Sequence, residues 1–138
     1  MAARPHPTPS PVPALDTPAA SAAALRTFFK IARVWDLSTA EEQRLLGVQR
    51  STAYAWRGGN FPARLDADTL ERLSYVFGIY SALQVLFPVA ERADAWIRKP
   101  NTAPLFGGDS ALARMLGGRV ADLFEVRHYL DAVRGGVS

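Results

Sequence analysis

The sequence contains no cysteine and only two histidines among its 138 residues. Without cysteine there is no disulfide, no thiol nucleophile and no thiolate metal site. The acidic residues form no Asp/Glu cluster with metal-ligand spacing, and Gly107-Gly108 lacks the Lys-Ser/Thr of a phosphate-binding loop. His6 lies among N-terminal prolines and His128 has no nucleophile to activate. We therefore expect no enzymatic activity, no metal and no cofactor.

Long apolar runs are also missing. No stretch approaches the roughly 20 apolar residues that a membrane span requires. Arg4 is followed by prolines rather than by an apolar segment, which is unlike a signal peptide. The chain is 49% hydrophobic and 21% charged, which is typical of a folded globular protein. We expect a cytoplasmic protein without a membrane partner.

Proline is concentrated at the N-terminus, and residues 1–20 are therefore predicted to be a flexible leader. Beyond residue 20 the apolar residues recur at helical spacing, and glycine or proline separates the periodic segments. We predict an all-α protein with no strand. The expected helices cover about residues 22–36, 39–46, 51–57, 67–77, 79–87, 88–97, 111–116 and 119–133. Ser21 is expected to cap the first of these helices, and Gly78 is expected to end the fourth.

The segment Thr39–Arg57 has the pattern of a helix-turn-helix, in which two short helices meet at a turn that Gly47 permits. Leu46 and Val48 are expected to pack inward around the turn, and Ala53 is small where the helices cross. Arginine pairs with guanine, glutamine with adenine and hydroxyls with either, so the remaining face suits DNA. The predicted DNA-binding residues are Gln49, Arg50, Ser51, Thr52, Tyr54, Arg57 and Arg64.

Charge distribution supports this interpretation more than net charge does, because the formal net charge is only +3. Between Gln43 and Leu65 there are four arginines and no acidic residue, and such a local basic block attracts phosphates.

The helix-turn-helix resembles the Xre type found in prokaryotic DNA-binding proteins. The resemblance is carried by Ser51, Thr52, Tyr54, Trp56, Gly58 and Pro62. Gln43 stands where alanine is frequent and Ala53 where a branched aliphatic residue is frequent. The resemblance implies operator DNA as a partner. Because such units usually read two half-sites one helical turn apart, we expect a homodimer on this geometric ground alone.

The C-terminal third resembles the toxin-binding domain of the Xre/MbcA/ParS antitoxins, although Ser110-Ala111 replaces a proline that is frequent there. The matching residues are Trp96, Pro100, Asn101, Leu105 or Phe106, Gly107, Gly108, Val126, Tyr129, Leu130 and Arg134. The two resemblances together cover residues 21–136. They divide the chain after its leader into a helix-turn-helix domain, 21–88, and a small helical toxin-binding domain, 89–138.

This resemblance implies an antitoxin that is encoded beside a toxin, frequently of the NAD-degrading Res type, and that represses their shared operon. The C-terminal helix and tail are expected to cover the active site of the toxin within a larger hetero-oligomer. The implied toxin-binding residues are Arg127, His128, Tyr129, Asp131, Arg134, Gly135, Gly136, Val137 and Ser138. Arg134 suits a pocket that holds pyrophosphate, and it equally suits the negative end of its own helix.

A stand-alone transcriptional regulator, whose C-terminal helices only dimerise, is the alternative that the sequence leaves open. In that protein, no toxin would co-purify, and truncation of the C-terminal helix would weaken DNA binding.

Overall fold

The computed structural model describes residues 17–136, and this part of the chain folds into seven α-helices without a strand. The α-helices are α1 (Pro18–Val34), α2 (Thr39–Leu46), α3 (Arg50–Arg57), α4 (Ala67–Leu86), α5 (Ala90–Ala95), α6 (Ala111–Met115) and α7 (Val120–Gly136). One turn of 3-10 helix, Trp96–Arg98, follows α5 directly. The predicted all-α class is confirmed. None of these helices is long and apolar enough to cross a bilayer.

Side-chain caps fix the starts of several helices, because the first backbone N–H groups of a helix have no partner within it. At α2, the Ser38 hydroxyl accepts from the amide of Glu41 (3.1 Å) and the Glu41 carboxylate accepts from the amide of Ser38 (2.8 Å). This reciprocal pair is a capping box. Asp66 and Ser110 cap α4 and α6 in the simpler one-sided way. These starts match the sequence prediction.

The start of α1 differs from the prediction. Thr17, rather than Ser21, is the N-cap, and its hydroxyl accepts from the amide of Ala20 at 3.1 Å. Pro18 occupies the first helical position, where its missing N–H costs no hydrogen bond. Ser21 is buried within the helix. The last three residues of the predicted leader, 18–20, thus belong to α1. Residues 1–16 of the leader lie outside the described part of the chain.

The break predicted at Gly78 is wrong, because α4 runs without interruption through this residue. A Cβ at Gly78 would collide with the guanidinium of Arg127, which lies across this position from α7. The glycine therefore allows the close approach of a neighbouring side chain and does not end the helix. Similarly, Pro88 precedes α5 instead of lying in its first turn.

Helix α4 is the centre of the fold, since α1, α2, α5 and α7 all pack against it. Helix α7 runs beside α4 in the same direction, with Arg72 of α4 near Gly118 and Tyr75 near Phe124. The buried residues form one continuous core, including Trp35, Leu45, Ile79 and Leu130. Consequently the segments that carry the two predicted sites share a single core.

Candidate nucleic-acid and protein interfaces

Helices α2 and α3 have the geometry predicted for a helix-turn-helix. Gly47 ends α2 with a φ of +67°, in the left-handed region that favours glycine. Leu46 and Ala53 are fully buried, and Val48 packs against the core. Burial of Ala53 lets α3 cross α2 closely and leaves its opposite face exposed.

The exposed face of α3 presents Arg50, Ser51 and Tyr54. The guanidinium of Arg50 lies 5.6 Å from the centre of the Tyr54 ring. Hydrogen bonding and the positive charge of Arg50 lower the pKa of the Tyr54 phenol below its ordinary value. Donors and an aromatic ring are thereby held together on one side of a short helix, in a form that suits base edges and phosphates.

Arg57 lies on one flank of this face and is fixed by two partners on α2. It donates a hydrogen bond to the hydroxyl of Thr39, and its Nε lies 3.7 Å from Oε1 of Glu42. Glu42 is buried, and burial raises the pKa of its carboxyl group even though Arg57 opposes the shift. The hydrogen bond to Thr39 therefore fixes the Arg57 guanidinium, and Glu42 adds an ion pair at 3.7 Å without a hydrogen bond.

On the other flank, Gln49, Thr52 and Arg64 line a shallow groove of about 570 Å³ that also includes the Gly47 turn. Gln49 is exposed at the N-cap of α3, where its side chain makes no capping hydrogen bond. Arg64 is exposed in the loop before α4. The seven predicted DNA-binding residues thus lie on the outer face of α3 and along its two flanks.

Two arginines connect the helix-turn-helix to the C-terminal segment. Arg72 is buried and donates to the carbonyl of Gly118 (3.1 Å) and, more weakly, to that of Arg44 (3.5 Å). Arg44 itself donates to the carbonyl of Leu116 at 3.0 Å. The turn between α6 and α7 is therefore held against the turn between α2 and α3. We call Arg44 and Arg72 the arginine link.

An aromatic cluster organises the C-terminal segment. Tyr129 of α7 stacks on Trp96 (6.4 Å between ring centres) and meets Phe106 edge-on at 5.1 Å. Phe106 is buried in a loop that is closed by a bridge between Pro100 and Ser110. The ring of Tyr129, which was predicted to face a toxin, is thus engaged within the chain.

Other predicted toxin-binding residues lie at the surface of α7. Arg127 pairs with Asp131 (3.0 Å) while its guanidinium lies across Gly78. His128 is exposed and stacks on Phe124 at 5.6 Å between ring centres. Asp131 is exposed as well, so this part of α7 offers both charged and aromatic groups to a partner.

The end of α7 is exposed at Arg134 and Gly135, and the helix continues to Gly136. Arg134 lies in the last turn, where the helix dipole favours a cation. Val137 and Ser138, the last two residues of the predicted toxin-binding set, lie outside the described residues.

Phe124 is a surface residue that is absent from the predicted sites, and Tyr75 beside it is partly buried. Phe124 is 46% exposed, and its ring meets Tyr75 edge-on at 5.8 Å. Helical periodicity contained a signal, because Leu123, Val126 and Leu130 already complete the buried face of α7 and Phe124 falls outside it. A single exposed apolar side chain is ordinary at a protein surface, so Phe124 is a candidate contact residue only together with the His128 ring that stacks on it.

Among residues 17–136 no group of three or more acidic or histidine side chains is arranged to hold a metal ion. Arg57, Arg72 and Arg127 all engage carboxylates of the same chain. The exposed surfaces of α3 and α7 offer charged groups, hydrogen-bonding groups and aromatic rings to other molecules.

Comparison with known proteins gives two family matches that follow one another along the chain. Residues 14–78 match the antitoxin Xre-like helix-turn-helix domain. Residues 82–136 match the antitoxin Xre/MbcA/ParS C-terminal toxin-binding domain. The first match ends and the second begins within α4. The chain is also 51% identical over 117 residues to the uncharacterized protein y4oB of Sinorhizobium fredii, an alignment that covers 83% of this chain and 86% of that protein.

Proposed function

Because the chain belongs to the Xre/MbcA/ParS antitoxins, we propose that it neutralises a toxin encoded beside it and represses their operon. The toxin is of the NAD-degrading Res type. The antitoxin acts by occupying two surfaces of larger molecules, with α7 against the toxin and α3 against operator DNA.

The proposed binding of a toxin rests on the exposed outer face of α7. Phe124 and His128 form an exposed aromatic pair there, one helical turn apart. Partly exposed aromatic side chains contribute much of the affinity at protein interfaces when a partner removes them from water. This pair docks α7 on the toxin, and Arg134 with the following tail then enters the active site. A guanidinium there occupies the anion pocket that a pyrophosphate would otherwise fill.

The DNA-binding half depends on α3. Arg50, Ser51 and Tyr54 enter the major groove, and the flanking arginines contact phosphates on either side. A recognition helix of eight residues contacts only one half-site of an operator. We therefore propose that a homodimer reads the operator and that the toxin joins it in a larger hetero-oligomer.

Co-expression of the antitoxin with the protein of the neighbouring reading frame tests this function. Wild-type antitoxin restores growth and intracellular NAD. Phe124→Ser weakens toxin binding by about 30-fold, since an anchoring aromatic residue contributes about 2 kcal/mol. Val34→Ser is the matched control, because Val34 is 43% exposed on α1 and Phe124 46% exposed on α7.

Arg50→Ala separates the two halves of the proposal. This variant loses operator binding and repression but still neutralises the toxin, because Arg50 lies on α3 and not on α7. If no neighbour-encoded protein co-purifies with the wild-type chain, and shortening α7 weakens DNA binding instead, the stand-alone regulator is the correct function.

A further inference from the structure

A basic groove, distinct from the exposed face of α3, runs between α1 and the C-terminal end of α3. Its volume is about 440 Å³. The residues that line it are Arg26, Phe29, Lys30, Arg33, Arg57, Gly58, Gly59 and Phe61. Four of these side chains are cationic and none is acidic. The groove is therefore a concentrated patch of positive charge at the edge of the helix-turn-helix.

Three of the cations, Arg26, Lys30 and Arg33, are exposed on one face of α1. They follow one another at intervals of four and three residues, so they are neighbours on the helix surface. Within residues 17–136 none of them forms an ion pair with a carboxylate. Like charges at this spacing repel one another and disfavour the helix slightly. Such a row is stabilised when an anionic partner binds along it.

Contacts within the protein hold both sides of the groove in place. The guanidinium of Arg26 lies over the ring of Phe61 at 5.8 Å, which ties α1 to the loop that follows α3. Across the groove, Arg57 is held by Thr39 and Glu42. The groove is consequently part of the same rigid unit as α3.

We propose that this groove binds the phosphate backbone of DNA beside the major groove that α3 enters. The inference rests on the proposed DNA-binding function and extends its contact surface to α1. From Arg26 to Arg33 the row spans about 10 Å along α1. One strand of duplex DNA presents a phosphate about every 3.4 Å along the axis, so the row meets two or three phosphates. Arg64, on the opposite flank of α3, faces the other strand.

The shape of the patch favours an extended polyanion over a single phosphate group or an acidic protein. Three of its cations follow one another over about 10 Å along α1, and Arg57 lies across the groove from them, so the charge is spread along the groove. The backbone of a duplex has such a linear, regular charge distribution.

The test compares two triple variants that remove the same charge. The groove variant is Arg26→Gln/Lys30→Gln/Arg33→Gln, and the control is Arg92→Gln/Lys99→Gln/Arg119→Gln. The control residues are exposed and belong to the C-terminal half of the chain. Affinity is measured from low to high salt for a duplex that contains the promoter of the chain's own gene and for a mixed-sequence duplex of equal length.

We expect the groove variant to lower the slope of log affinity against log salt by about 2 to 3, because each lost phosphate contact removes about 0.9. The loss should be the same for both duplexes, since phosphate contacts carry no sequence information. The control should change the slope by less than one. Trimming the DNA that flanks the half-site should weaken the wild-type protein and leave the groove variant unaffected.

Three other results of these DNA-binding and toxin-binding measurements would each overturn a different part of the proposal. If the wild-type protein binds DNA and the groove variant keeps its salt slope, the inference fails and the DNA-binding function stands. If the groove variant keeps DNA binding but loses the toxin, the groove is a protein interface. If the wild-type protein binds neither duplex, the proposed DNA-binding function itself fails.

Discussion

Replacing Arg72 by methionine is the sharpest test of how the two halves of this protein are joined. Methionine retains much of the aliphatic length of arginine but removes the donors that reach the carbonyls of Gly118 and Arg44. It also removes the 2.8 Å ion pair with Asp68. Since Arg72 is only 8% exposed, water does not simply take over these interactions.

The expected loss is about 2 kcal/mol in the free energy of unfolding. A buried hydrogen bond from a charged donor to a carbonyl contributes about 1.5–3 kcal/mol. The ion pair with Asp68 adds little, because the Asp68 side chain is 51% exposed and solvent screens it. Relief of the cost of burying a guanidinium offsets part of the loss. For a domain of this size, about 2 kcal/mol corresponds to a melting temperature lower by roughly 8 °C.

Thermal and urea unfolding, followed by far-ultraviolet circular dichroism, measure this loss. Arg119→Met is the matched control, because the Arg119 side chain is 81% exposed and its nearest carboxylate oxygen lies 3.9 Å away. Arg44→Met should fall between the two, since the hydrogen bond of Arg44 to Leu116 is exposed. If Arg72→Met is as stable as Arg119→Met, the arginine link does not hold the two turns together.

Three further predictions concern the helix-turn-helix and the start of α4. Gly47→Ala should destabilise the protein by at least about 1–2 kcal/mol, because alanine is strained at a φ of +67° and its Cβ would collide with the buried Arg72 side chain; an unchanged urea midpoint would show that the turn and Arg72 both relax. Burial raises the pKa of Glu42, so its stabilising contribution is present at acid pH and is lost as pH rises through the raised pKa. Glu42→Gln should therefore gain stability relative to wild type as pH rises above 4.5, the ordinary pKa of this carboxyl group, and a difference that does not change with pH contradicts the assignment. The hydrogen bond from the backbone amide of Thr69 lowers the pKa of Asp66, so Asp66→Ala should cost about 1 kcal/mol at pH 7 and progressively less as acid protonates the wild-type carboxylate; a full cost at pH 2 argues against this cap.

Local chemistry made much of the fold predictable. Ser38 and Ser110 cap helices within their own segments, and Gly47 ends a helix through its own backbone angle. Such features depend on four or five consecutive residues, so the sequence contains nearly all of the information. The location of the helix-turn-helix, and of the DNA-binding candidates on its outer face, followed from these signals.

Features that depend on distant residues were not predictable. Gly78 has the sequence signature of a helix break, but its role is set by Arg127, 49 positions further along the chain. The inward ring of Tyr129 depends on Trp96 and Phe106, which come from other elements. By contrast, the helical periodicity of α7 already placed Phe124 outside its buried face, and only the contact of Phe124 with Tyr75 depended on the packing of α7 against α4. Among the toxin-binding candidates, tertiary packing therefore determines that Tyr129 contacts the chain's own aromatic residues, whereas His128 and Asp131 are exposed.

Whether this chain is an antitoxin is decided by titration calorimetry with the purified protein of the neighbouring reading frame. We expect saturable binding that abolishes the NAD-degrading activity of that protein, unchanged affinity for Arg50→Ala and about 30-fold weaker affinity for Phe124→Ser. No heat of binding with the wild-type chain, or equal affinities for the wild type and Phe124→Ser, would contradict it.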